Sequence, residues 1–95
     1  MTKYEIMYVI RPTVLEDDRK ALIAELSAIF TSRGAEVTNV NEWGIKELAY
    51  EIQKHTKGYY VILDVVSDDA ARIEFDRIVR IKEDVIRYLI LKDVR

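Results

Sequence analysis

Cysteine is absent from the 95 residues, which excludes a disulfide framework and any thiolate metal site and fits a reducing compartment such as the cytoplasm. One proline and three glycines leave little room for a disordered or low-complexity segment, so the chain is expected to be ordered throughout. Long apolar runs are missing too. The longest, Ile6 to Ile10 and Tyr59 to Leu63, are far shorter than a membrane span or a signal-peptide core, and no membrane association is expected. Neither sign of charge dominates: 15 Lys and Arg stand against 17 Asp and Glu, a net charge of −2, which is not the footprint of a strongly basic nucleic-acid-binding domain. At this length one hydrophobic core is the natural reading, and residues 1–95 are taken as one domain.

What is present is a clear succession of periodic segments. Tyr4, Ile6, Tyr8 and Ile10 alternate with Glu5, Met7 and Val9, the period-two pattern of a strand, which stops at Pro12. Thr13-Val14-Leu15-Glu16 fits the spacing of a capping box, so a helix is expected to start there. Leu22, Ile23, Leu26, Ile29 and Phe30 give that helix one apolar face, and Gly34 suits its end. Glu36 to Gln53 has strand character with broken alternation, and Gly44 marks a bulge or bend. Lys54 to Gly58 reads as a hairpin turn leading into Tyr59 to Val66, a strongly β-favouring run expected to pair antiparallel with the preceding strand. Ser67 or Asp68 can cap a second helix buried through Ala71, Phe75, Ile78 and Val79, and Val85 to Lys92 forms a last strand. The order β-α-β-β-α-β is that of the α+β, ferredoxin-like arrangement, a four-stranded antiparallel sheet with two helices on one face.

The other sheet face is then open, and the charges at Glu5, Asp64 and Arg87 fix which residues it displays. By that parity Met7, Val9, Tyr60, Ile62, Leu89 and Leu91 also point outward, more apolar surface than a solvated sheet face normally carries. Fully burying a large apolar side chain is worth about 1.5 to 3 kcal/mol, so a partner covering this face would gain several kcal/mol.

No constellation for chemistry appears. The single histidine, His55, lies in a polar segment without an acidic pattern beside it. The pairs Asp17-Asp18, Asp68-Asp69 and Glu83-Asp84 fall at helix starts or loops, where capping and dipole preferences account for them. Phosphate-cradling glycine motifs, nucleophile elbows and metal-ligand spacings are missing, so no enzyme activity, cofactor, metal or small-molecule substrate is expected. Lys57-Gly58-Tyr59-Tyr60-Val61 partly matches the opening of the RNP1 motif, but parity turns Tyr59 and Val61 inward, away from where stacked bases would lie. Any RNA contact would then use phosphates and shape.

Lys3-Tyr4-Glu5, Arg11-Pro12, the segment from Trp43 to Ile52, Lys57-Gly58-Tyr59-Tyr60 and Ile86-Arg87-Tyr88 together closely resemble the family of bacterial small-subunit ribosomal protein six. The resemblance runs over essentially the whole chain, and its most specific part is Gly44 followed by Leu48-Ala49-Tyr50-x-Ile52. It implies a structural constituent of the small ribosomal subunit, binding small-subunit ribosomal RNA in its central domain together with ribosomal protein eighteen. Under it, Lys3, Lys54, Arg80, Lys82 and Arg87 are the candidate phosphate contacts, and Trp43, Lys46, Leu48, Tyr50 and Tyr60 the candidate contacts to the protein partner. Glu47 departs from relatives that carry a basic residue there, and Gln53 from ones more often basic or small, which implies a smaller electrostatic contribution to RNA binding. A regulatory or ligand-sensing module that homodimerises through its open sheet face would explain the apolar face equally well. The segment from Gly44 to Ile52 favours the ribosomal reading.

Overall fold

Six elements follow one another in the computed structural model, which describes residues 1–93: β1 (Thr2–Ile10), α1 (Glu16–Thr31), β2 (Glu36–Ile52), β3 (His55–Ser67), α2 (Asp69–Ile81) and β4 (Val85–Asp93). The strands form one antiparallel sheet in the order β2-β3-β1-β4. This is the ferredoxin-like topology that the order of elements predicts.

Alternation places the core. Tyr4, Ile6, Tyr8 and Ile10 from β1 and Val61, Leu63 and Val65 from β3 are buried beneath Leu22, Ile23, Leu26, Ile29 and Phe30 of α1 and Ala71, Phe75 and Val79 of α2. The rings of Phe30 and Phe75 stack with centroids 5.0 Å apart and join the two helices. Asp68 caps α2, its carboxylate accepting from the amide of Ala71 at 2.9 Å. The Tyr4 hydroxyl donates to Asp69 at 2.8 Å and ties β1 to the same helix start.

Two local expectations are corrected. The capping box does not form: Leu15 is the N-cap of α1 and makes no side-chain cap hydrogen bond, and Glu16 is the first helical residue rather than the third. The preceding residues close a turn instead, Val14 donating its amide to the Arg11 carbonyl, while the Thr13 hydroxyl accepts from Arg11 Nη1 at 2.6 Å and so is engaged elsewhere. Acidic side chains at Glu16, Asp17 and Asp18 provide favourable charge at that helix start.

The hairpin also differs from the expected one. The turn is the pair Gln53-Lys54, both at positive φ (50° and 67°), as in a type I′ turn, so Ile52 faces His55 and the residues His55 to Gly58 belong to β3. Gly44 behaves as expected, at φ 87° beside a register shift between Glu42 and Gly44. A wider shift separates Glu47↔Lys57 from Ile52↔His55, leaving Leu48 to Glu51 opposite Thr56 alone.

Candidate partner and nucleic-acid interface

Register across the sheet arranges the open face in rows. Asn39, Asp64, Glu5 and Leu91 stand side by side, then Asn41, Ile62, Met7 and Leu89, then Gly44, Tyr60, Val9 and Arg87. An acidic row therefore borders an apolar one, and a row ending in Arg87 follows. Glu5 directly opposes Asp64, a like-charge pair that is unfavourable on a sheet and that would repel a phosphate backbone.

The apolar residues of this face differ in how far they are covered. Leu89 and Leu91 are 41% and 49% exposed, and Met7 and Tyr60 are half-buried. Val9 and Ile62 are buried although both helices lie on the opposite side. The expectation that all six wait for a partner is thus corrected for these two. This chain covers part of its own open face, because the segment bulging from β2 brings Leu48 over Gly58, on the side where Val9 lies. Gly58 makes the approach possible: a Cβ there would overlap Val9 Cγ1 and touch Leu48 Cδ2.

The candidate partner residues gather along β2 and the middle of the face. Trp43 is half exposed at the Gly44 bulge, with the Lys46 ammonium 5.9 Å from its ring centroid. Lys46 faces Gly58, and Tyr60 lies in the next row toward the acidic side. Tyr50 is 60% exposed and so is no core residue, while Leu48 is half-buried.

The candidate phosphate contacts do not form one patch. Lys54, at the tip of the hairpin, belongs to the end of the sheet where β1 finishes and β4 begins; there Gln53 shares a shallow cleft with Arg11, Arg80 and Lys82. Arg87 pairs with Val9 near the same end. Lys3, paired with Val66 and six residues from Val9 on β1, lies about 20 Å away at the other end of the strand, beside the acidic row. Arg80 and Lys82 already have partners. Arg80 pairs with Asp76 and Lys82 with Glu25, each at 2.7 Å. Arg11, not among the candidates, pairs with Asp84 at 2.7 Å and fixes the loops around this end.

The contact that sequence reasoning missed crosses the face: Arg87 Nη1 donates to the Tyr50 hydroxyl at 3.4 Å, and the guanidinium lies 5.8 Å from the ring centroid. Gly58 is the available signal, masked by its place at the end of the expected hairpin turn; within a strand, as here in β3, a glycine often marks a close approach by another part of the chain. On the helix side, Arg19 lies 4.0 Å over the Tyr59 ring, and the Tyr59 hydroxyl donates to Glu42 at 2.8 Å. Burial raises the pKa of that phenol above its ordinary value, and the Glu42 hydrogen bond and charge raise it further.

No helix among the described residues is long and apolar enough to cross a membrane. Among the described residues no cluster of three or more His, Asp or Glu could hold a metal ion. The family described as Ribosomal protein S6 matches residues 3–92. The structure superposes on a crystal structure of 30S ribosomal protein S6 from Thermotoga maritima with a TM-score of 0.92 at 27% sequence identity, over 97% of this chain and 87% of that one. With the fold, the Gly44 to Ile52 segment and the match over nearly the whole length in agreement, the chain belongs to the ribosomal protein S6 family of structural, non-enzymatic small-subunit components.

Proposed function

We propose that this chain acts as a single cytoplasmic domain of the small ribosomal subunit, binding small-subunit ribosomal RNA in its central domain together with ribosomal protein eighteen. The observation that carries the proposal is the division of the open face. An exposed apolar strip along β4, Leu89 and Leu91, has Glu5 and Asp64 in line with Leu91 at one end and leads at the other to the end holding Arg87 and Lys54. Apolar surface beside carboxylates suits a basic protein and disfavours a phosphate backbone, whereas the basic end suits RNA.

In this reading Trp43, Lys46, Leu48, Tyr50 and Tyr60 contact the protein partner, with Leu89 and Leu91 extending the same surface. Arg87 and Lys54 contact phosphates, and Arg80 and Lys82 join them by exchanging Asp76 and Glu25 for RNA. Exposed ion pairs of that kind contribute little to stability, so the exchange costs little. Lys3 is a separate contact at the far end.

A titration of the protein against a central-domain ribosomal RNA fragment, with and without ribosomal protein eighteen and at two salt concentrations, tests this. Binding that tightens with the partner and weakens with salt is expected. Absence of RNA binding under every condition, with a dimer seen by sedimentation, would overturn the reading in favour of self-association through the open face.

A further inference from the structure

Leu48 to Glu51 bulge from β2 with only Thr56 opposite them, and the Tyr50 side chain reaches across the sheet to Arg87. Arg87 lies on β4, with β3 and β1 between it and β2, so the Tyr50–Arg87 contact bridges three strand spacings, about 14 Å. The two long side chains span that distance between them, the phenol from β2 and the guanidinium from β4. Two anchors hold the bulge. Leu48 sits with Val9 over the space left by Gly58, and Tyr50 meets the Arg87 guanidinium. The second anchor is the weaker, because the phenol is largely exposed and a 3.4 Å hydrogen bond is at the long end of the range. A segment with so little ladder pairing opens more readily than the strands around it.

We propose that Leu48 to Glu51 form a strap which, in the free chain, holds Arg87 and covers Val9, and which opens when an RNA phosphate takes the Arg87 guanidinium. The inference rests on the RNA and protein-partner reading given above. A phosphate accepts charge-assisted, bidentate hydrogen bonds from arginine and so outcompetes a neutral phenol. Opening then frees Leu48, Tyr50 and Val9 for the protein partner. By linkage, the partner that binds the open strap raises the affinity for RNA to the same degree.

Tyr50→Ala tests the strap in the full-length chain, with the central-domain RNA fragment as probe and ribosomal protein eighteen present or absent. Releasing Arg87 is expected to raise the affinity for RNA alone about two- to fivefold, the equivalent of one exposed cation–π contact, and to shrink the gain conferred by the partner by at least that factor. Leu48→Ala should act in the same direction. If the wild type binds RNA and Tyr50→Ala leaves its affinity for RNA alone unchanged or lower, Tyr50 is only a contact residue and the strap is wrong. A wild type that binds no RNA even with the partner removes the functional reading itself, and the coupling with it. Nuclear Overhauser contacts between the Leu48 and Val9 methyls supply an independent readout: they are expected in the free chain and lost in the RNA complex, and their persistence in the complex overturns the proposal.

Discussion

Gly58 shows how one missing side chain shapes a face. Alanine there would place a methyl group into Val9 and against Leu48, so Gly58→Ala must displace the segment above it or distort β1. Overpacking of this kind costs about 1 to 3 kcal/mol, which urea unfolding would measure; a loss below a few tenths would mean the niche is not tightly filled. Tyr8 makes the opposite case. Its hydroxyl is buried with no hydrogen-bond partner among the described residues, and burial, reinforced by the charge of Glu42, raises its pKa well above the ordinary phenol value. The folded state thus resists ionisation that the unfolded state allows. Its contribution is fully present below about pH 10, the unfolded phenol value, and is lost as pH rises above that toward the folded value. Tyr8→Phe should therefore flatten the alkaline decline of stability. At neutral pH it should raise stability by about 1 kcal/mol, since it removes a desolvated hydroxyl. A variant less stable than the wild type at pH 7 would show that the hydroxyl is satisfied after all.

At the scale of elements, the two helix starts differ in chemistry, and so should their responses to substitution. Asp68→Ala removes a formed cap and is expected to cost about 1 kcal/mol, whereas Thr13→Ala removes no cap and should cost less than half of that. Leu15 already holds extended N-cap geometry and is 72% exposed, so Leu15→Ser should stabilise α1 by about 0.5 to 1 kcal/mol. Thermal unfolding of the three variants checks the set, and equal losses for Asp68→Ala and Thr13→Ala would contradict it. The helix faces, the four strands and the Gly44 bulge were all legible in the sequence, because each is written in local spacing or in a residue that tolerates positive φ. The capping box misled because Thr-x-x-Glu also fits a chain that first closes a turn through Arg11. The hairpin misled because Gln53 and Lys54 take positive φ without a glycine or asparagine, while the polar residues that mark a turn elsewhere, His55 to Lys57, open a strand here. The bulge of Leu48 to Glu51 had no local signature beyond Gly58, since a register shift depends on what the strand packs against.

For the molecule as a whole, parity read from three charged residues assigned the open face correctly but could not reveal that the chain covers Val9 and Ile62 itself. Nor could composition reveal how the charge is divided. A net charge of −2 conceals a basic end at Lys54 and Arg87 and an acidic row at Glu5 and Asp64, with Lys3 beyond that row. Each lysine or arginine that neutralises one phosphate contributes about one to the slope of log affinity against log salt. If RNA occupies the basic end, Lys54→Ala and Arg87→Ala should each lower the slope by about one and should weaken all RNA sequences alike. Lys3 must work against two neighbouring carboxylates about 20 Å from Arg87, so Lys3→Ala should lower the slope by clearly less than one. Salt titrations of the three variants with the partner present decide the matter. Equal losses from Lys3 and Arg87 would require an RNA path along the whole face, across the acidic row, and would take from the protein partner the strip that Leu89 and Leu91 expose.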